Sequence, residues 1–398
     1  MSEQAVIVAA KRTPVGRFMG GLSRVPSPEL GAIAIRAVFE QVPALRGHVD
    51  EVMMGCVLQA GLGQNPARQA ALKAGMPPTI NAMTINKVCG SGLEAVMQGA
   101  RAIKAGDARC VIAGGMENMS LAPHYAYLRA GAKFGEVKFE DHMQHDGLYC
   151  VHECWGMTGA ADYTAEKFGL TREEQDLFSA RSHRLAAEAT ANGWFGEEIV
   201  ALTGEDVGNR KKPGPEGGVA HDEGIRSEST AEVLGGLRTV PGHHTITAGN
   251  ASQISDGAAA IAVCSASLAE ELGVKPMAKI LSYHTHGVDP KDLFEAPING
   301  ITGALKKAGL SRDDIELYEI NEAFASQVLC NVKELGVPQE KVNVCGGGIA
   351  IGHPIGASGG RVLTTLLYQM KRLNKKTGVA ALCLGGGNAV AMVVERVQ

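Results

Sequence analysis

The chain has 398 residues, a formal net charge of −4 and 45% hydrophobic residues. That length holds two or three domains, each able to bury a core. The near-neutral balance excludes a polybasic surface for nucleic acid or for a membrane. The 51 glycines lie inside apolar patterns, so they imply tight turns and close helix–sheet packing and exclude disorder. Nine cysteines, an odd number, sit mostly in apolar runs (Cys110, Cys264, Cys330, Cys383), which suits a reducing compartment and no disulfide framework. The apolar run 5–10 is too short for a secretion signal, no run approaches a membrane span, and the C-terminal Glu395-Arg396-Val397-Gln398 is not a peroxisomal signal. These features predict a soluble, cytoplasmic protein without a nucleic-acid or membrane partner.

Residues 5–10 read as a strand. Ser27 and Pro28 open a helix to about residue 41, with Ser as its cap and Pro at the first helical position. A strand over 51–59 and a helix over 66–74 follow. An apolar lead-in then reaches Asn86-Lys87-Val88-Cys89-Gly90-Ser91-Gly92. Leu93, Val96, Met97, Ala100 and Ile103 recur at helical spacing up to Gly106. A strand over 108–113 runs into Gly114-Gly115. After residue 275 the order returns: strand 278–283, a helix holding 301–308, and strand 315–320 entering Asn321-Glu322-Ala323-Phe324. Next come helix 325–335, strand 341–345 entering a glycine run, helix 358–373, strand 379–384 ending in Gly385-Gly386-Gly387, and strand 389–395.

The halves match locally as well. Gly90-Ser91-Gly92 corresponds to Ala357-Ser358-Gly359, 110–115 to 380–386, and 256–263 to 388–394. The chain reads as a duplicated α/β unit with a mixed, largely parallel sheet covered by helices. Where the second copy has the short turn 385–388, the first carries an insert of about 130 residues. That insert contains helices near 160–167 and 172–192 and an irregular stretch, 204–224. The predicted division is 1–115 plus 250–272 for the first half, 116–249 for the insert, and 273–398 for the second half.

Sites in such folds gather where strands end and Gly-rich turns feed helices. Four loops fall there, carrying Cys89, Asn321, His353, and Cys383 with Gly385. Cys89 precedes a helix, where unpaired N–H groups and the helix dipole favour a thiolate. Such a nucleophile needs a base, and His353, with Pro354 fixing its backbone, can move protons near neutral pH. Asn321 can orient a water or donate a hydrogen bond. Gly385 offers an unobstructed N–H, as an oxyanion hole requires. Cys383 is a second thiol for acid–base work. Taken singly, each has a plainer reading: a buried structural cysteine, a satisfied turn histidine, a helix cap, a core strand residue. Their joint placement in a duplicated frame favours the chemical one.

The residues around Cys89, Asn321–Phe324, Gly347–Gly359 and Cys383–Gly387, with Thr247–Ser252 and Asp256–Ala259, resemble the thiolase family. The likeness spans essentially the whole chain and lies close to the acetyl-CoA acetyltransferase group. It implies a ping-pong reaction in which His353 takes the Cys89 proton and Cys89 becomes acylated. The N–H groups of Cys89 and Gly385 hold the acyl oxygen. Cys383 removes the α-proton of a second acetyl-CoA, or protonates the departing enolate in the reverse direction. His353 and a water positioned by Asn321 hold the enolate oxygen. The resemblance further implies coenzyme A as substrate with no covalently bound cofactor and no metal, and CoA binding and oligomer contacts in the insert. It places Arg226 near the nucleotide and Ser252 near the pantetheine, and implies a homodimer or tetramer. Arg210, Lys211 and Lys212 can add phosphate attraction. Two positions depart from acetoacetyl-type members: Gly156-Met157 stands where those usually have His-Met, and Leu293 where they often have Met. Both positions line the acyl pocket, so a 3-ketoacyl-CoA thiolase acting on longer chains is the alternative.

Other readings fit less well. The run 346–359 lacks the G-x-G-x-x-G spacing of a dinucleotide site, and Cys150-x-His152-x-Cys154 lacks a second zinc-ligand pair. A Cys/His hydrolase needs neither Cys383 nor the duplication. A decarboxylating ketosynthase would show histidines in place of Asn321 and Cys383. A non-catalytic CoA or lipid carrier predicts a lost nucleophile or base, yet Cys89, His353 and Cys383 are all present.

Overall fold

The structure, a computed structural model, describes residues 3–208 and 217–397. The first half runs β1 (Ala5–Arg12), α1 (Ser27–Gln41), β2 (Glu51–Gly55), α2 (Pro66–Lys73), β3 (Asn81–Ile85), α3 (Ser91–Ala105) and β4 (Cys110–Asn118). The insert contributes α4 (Met157–Phe168) and α5 (Arg172–Ala191), and β5 (Ser255–Ser265) closes the unit. The second half repeats the pattern: β6 (Ala278–Gly287), α6 (Ala296–Ala308), β7 (Leu317–Ile320), α7 (Ala325–Leu335), α8 (Ser358–Arg372), β8 (Thr377–Leu384) and β9 (Asn388–Arg396).

The strands form one path, β7–β8–β9–β6–β1–β5–β4–β2–β3, with Gly16–Arg17 paired to β5. The duplication is visible in that order, because β1, β5, β4 and β2 occupy the places that β6, β9, β8 and β7 hold in the other half. The halves join through a short antiparallel contact, Val6 opposite Lys279 and Ile7 opposite Ala278. Among the strands named, parallel pairing joins β2 to β3 and β4, and β7 to β8. The expected largely parallel sheet is therefore a mostly antiparallel one. The tight turn between β8 and β9 can only join antiparallel strands, and β4 and β5 keep the same pairing across the insert.

Local boundaries moved for local reasons. Pro26 caps α1 and Ser27 is already helical, with no side-chain cap, so Ser27 does not play the expected role. The strand predicted over 51–59 ends at Gly55. The strand predicted over 341–345 is reduced to a bridge between Val342 and Tyr318, placed as β3 is placed beside β2.

Helices lie in three layers, with α1 and α2 outside the first half's strands and α6 and α7 outside the second's. Between the two sets of strands lie α3 and α8, packed on each other. Their apolar faces, Leu93, Val96, Met97, Ala100 and Ile103 against Val362, Leu363, Leu366 and Met370, share one buried core. Each fully buried Leu, Val or Met in it contributes about 1.5–3 kcal/mol. At their N-terminal ends the helices touch backbone to backbone, because a Cβ on Gly359 would stand 2.1 Å from the Leu93 nitrogen, and one on Gly92 2.8 Å from the Gly360 nitrogen. The insert packs on α7 through α4 and α5. It is also tied to β1 by the buried Arg12 guanidinium, which meets Glu198 and Asp222 at 2.7 Å each. Gly359→Ala should lower stability by about 2–3 kcal/mol through overpacking at the helix crossing. Urea unfolding of the two proteins measures this, and an unchanged midpoint would show that the helices are not in contact there.

Candidate active site

Cys89 lies in the turn between β3 and α3. The turn is self-braced: the Ser91 hydroxyl donates to the Val88 carbonyl at 2.6 Å and accepts from the Lys87 N–H at 2.8 Å, while the Val88 N–H donates to Asn86 Oδ1 at 3.1 Å. Val88 has φ of 46°, a left-handed conformation that a β-branched residue rarely adopts. Strain of this kind, held by the surrounding bonds, presents the next side chain, Cys89, to a cavity. That cavity has a volume of about 470 Å³, and His353, Cys383 and Gly385 also line it.

His353 comes from the loop before α8 and is buried. Its ring is held from one side: Nδ1 lies 2.5 Å from Ser358 Oγ, and that hydroxyl donates to the Pro354 carbonyl at 2.9 Å. The hydroxyl hydrogen is thus committed, so Nδ1–H is the donor to Ser358 and Nε2 carries the lone pair. Asn321 Nδ2 lies against the ring, 3.3 Å from Nε2 and 3.5 Å from Nδ1. Asn321 follows β7 and is fully buried, with its N–H donating to the Ala381 carbonyl at 2.9 Å. It stands outside the cavity lining, behind the imidazole, and its Oδ1 is buried without a partner. It is no helix cap, since α7 begins at Ala325 with Phe324 as the capping residue. Gly352, with φ of 116°, lets the loop pass Ser255, whose Oγ would lie 2.4 Å from a Cβ there.

The electrostatics set burial against the expected helix-terminus stabilisation of a thiolate at half-buried Cys89. Burial pushes the Cys89 thiol up to about 11, against the pull of the Gly385 N–H and its own N–H, both directed at the sulfur. The helix terminus alone does not offset the loss of water. Burial, with the Arg361 charge adding to it, drives His353 down to about 3, far from a value tuned near neutrality. Cys383, at the end of β8, is pushed well above the usual thiol range by burial and by the neighbouring Cys89. The resting pair is therefore a neutral thiol and a neutral imidazole. No hydrogen bond joins Cys89 to His353 among the described residues, and contacts of this type commonly tighten only when substrate binds.

Of the remaining candidates, Ser252, Met157 and Leu293 line the cavity, alongside Gly156, Trp155 and Phe294. Arg226 does not; it is exposed, its backbone N–H donating to His183 Nδ1 at 3.2 Å and its carbonyl accepting from the Ser229 N–H at 3.2 Å. Arg210, Lys211 and Lys212 lie outside the described residues. Two supporting residues escaped the sequence reading. Ser358, which orients His353, looked only like a helix start. Glu322 accepts from Ser182 Oγ at 2.6 Å, Asn343 Nδ2 at 2.9 Å and the Ile349 N–H at 3.2 Å, tying the Asn321 loop to the glycine run before His353. A carboxylate directly after Asn321, between a predicted strand and helix, was the available signal. Among the described residues, no three His, Cys, Asp or Glu side chains converge as a metal site, and no helix is long and apolar enough to cross a membrane.

Comparison with known proteins agrees with this architecture. The thiolase N-terminal domain family matches residues 5–267 and the thiolase C-terminal domain family matches 274–396. The chain is 50% identical over 393 residues to the acetyl-CoA acetyltransferase of Cupriavidus necator, covering 98% of this chain and 99% of that one. It is 48% identical over 399 residues to the Escherichia coli K12 protein of the same name, covering 100% of each. The crystal structure of the Bacillus anthracis acetyl-CoA acetyltransferase superposes with a TM-score of 0.95 at 38% identity, covering 100% of this chain and 99% of that one. Matched along both halves in sequence and fold, this chain belongs to the thiolase family.

Proposed function

We propose that the chain is an acetyl-CoA C-acetyltransferase, condensing two acetyl-CoA into acetoacetyl-CoA and CoA, or cleaving acetoacetyl-CoA with CoA. The observation that carries this is the meeting of two thiols and one neutral imidazole in a single apolar cavity, with two N–H groups aimed at one of the sulfurs. In acylation, His353 Nε2 takes the Cys89 proton as Sγ attacks the thioester carbonyl. The Cys89 and Gly385 N–H groups receive the developing oxyanion. The departing CoA takes the proton of Cys383, leaving Cys383 as a thiolate beside the imidazolium. That thiolate, strongly basic because it is buried, removes the α-proton of a second acetyl-CoA. The enolate, held by His353 Nε2–H, attacks the acyl group, and Cys89 departs and recovers its proton from His353. Every proton is returned, so neutral resting thiols suffice and no step needs a bound cofactor; coenzyme A is a substrate. Thiolysis runs the same steps backwards. Asn321 acts here by supporting the imidazole and positioning a water.

The cavity lining favours a second reading. Gly156 projects no side chain, and Leu293, Met157 and Trp155 make an apolar wall that suits a longer acyl chain, as a 3-ketoacyl-CoA thiolase requires. The proposal also includes CoA binding by the insert, 116–249, between halves 1–115 plus 250–272 and 273–398, with Ser252 near the pantetheine and Arg226 at the nucleotide end. It includes a homodimer or tetramer, supported by exposed apolar side chains on the insert: Tyr127, Leu128, Phe134 and Phe139. Nine free cysteines suit the reducing cytoplasm.

CoA-dependent cleavage of acetoacetyl-CoA, 3-ketohexanoyl-CoA and 3-ketodecanoyl-CoA tests the assignment. Preference for the shortest is expected, comparable rates on the longer two would favour the second reading, and no cleavage of any would overturn both. Cys89→Ser should lower turnover by roughly four orders of magnitude. Cys383→Ser should still form the acyl-enzyme, more slowly because the departing CoA loses its thiol proton donor, while its α-proton exchange falls by about 10²–10⁴-fold. Normal turnover in either variant contradicts its role. Because the Cys89 thiol is raised and His353 lowered, the thiol is expected to stay protonated through neutral pH. The difference in thiolate absorbance between wild type and Cys89→Ser should then titrate only toward about pH 11. A titration near neutrality would show a resting thiolate instead.

A further inference from the structure

Glu117, near the end of β4, is fully buried, and no step above uses it. Its Oε2 accepts from the Val57 N–H at 3.0 Å and the Gly356 N–H at 2.9 Å, and its Oε1 from the Leu58 N–H at 3.1 Å, with Cys56 Sγ at 3.9 Å. All these partners are neutral. The carboxylate therefore ties together two segments that are distant in sequence. One is the stretch after β2, where Val57 and Leu58 form an apolar cluster with Met119 and Ile355 that packs against Cys89. The other is the loop of His353, three residues before Gly356. The fit is tight, because a Cβ on Gly356 would stand 2.7 Å from Oε2, and one on Gly115 2.0 Å from the Gly356 carbonyl oxygen. An acid is a costly choice for a mere structural tie in a dry interior, where a neutral acceptor serves. Burial raises this carboxyl to about 7, the three N–H groups pulling it back down.

We propose that Glu117 is a positioning residue for acyl transfer: by binding the Val57–Leu58 and Gly356 N–H groups at once, it fixes the His353 loop against the wall behind Cys89, so that imidazole and thiol keep their register. The role given to His353 rests on the thiolase reading.

The test uses the intact protein and two readouts. In thiolysis of acetoacetyl-CoA, Glu117→Gln should lower kcat about 10–100-fold with KM within about twofold, since the cavity is unchanged and only the base is displaced. Independently of any acyl-CoA, the rate of Cys89 alkylation by iodoacetamide, followed on the Cys89 peptide by mass spectrometry, should fall at least about fivefold in Glu117→Gln. It should not fall in Glu117→Gln made in a His353→Ala background. Loss of the charge alone would speed alkylation, because an ionised Glu117 opposes ionisation of Cys89. Unchanged or faster alkylation in the single variant, or an equal slowing in both backgrounds, overturns the proposal. Should Glu117→Gln not fold, Gly356→Ala, which keeps the carboxylate but pushes the loop off it, is measured in the same two backgrounds with the same outcomes deciding. Failure of wild type to cleave acetoacetyl-CoA would count against the proposed activity, while the alkylation result still decides Glu117.

Discussion

The contact on which the site depends is the backbone-to-backbone crossing of α3 and α8 at their first turns. Gly92 and Gly359 leave no side chain between the helices there, so the two N-termini come as close as main chains can. Cys89 precedes one helix by two residues and His353 precedes the other by five. The crossing therefore sets the spacing of thiol and imidazole before any substrate arrives. Further along, the same helices spread apart onto full-sized side chains and form the central core. Packing of rigid apolar faces thus supplies stability, while the glycine end of the same interface supplies proximity.

Around that crossing, buried polar groups fix orientation. Ser358 sets the tautomer of His353, Asn321 lies against its ring, and Glu322 holds the Asn321 loop to the glycine run. These partners are shut from water, so each misplaced donor or acceptor would carry a full desolvation penalty, which makes the arrangement stiff. Removal of water also raises the thiols and lowers the imidazole. The site consequently stores no charge at rest. In the proposed acyl transfer a thiolate–imidazolium pair forms only as the acyl group moves, when the charges stabilise one another at short range.

Much of this was legible along the chain. Hydrophobic periodicity located α3, and the repeated Gly-Ser-Gly and Ala-Ser-Gly turns revealed the duplication, because equivalent backbone turns demand equivalent small residues. The cavity-lining candidates Cys89, His353, Cys383 and Gly385 were visible for the same reason: each lies at a strand end or beside a glycine turn. Strand direction was misread, since alternating helices and strands suggest crossovers, whereas β1, β5, β6 and β9 pair antiparallel. The ionisation of Cys89 and His353 was misread too. A helix start is a local feature, but the water that would solvate a thiolate is displaced by residues from four separate segments.

Residue order alone therefore established the duplicated α/β frame and pointed to the insert and to the residues proposed to react, because these readings rest on short-range periodicity and turn chemistry. Tertiary structure decided the rest: that Ser358 holds one nitrogen of His353, that Asn321 lies against the ring outside the cavity lining, that Arg226 is exposed away from that lining, and that burial pushes both thiols up. Those properties depend on burial and on partners brought together from separate loops, and neither spacing nor composition encodes them directly.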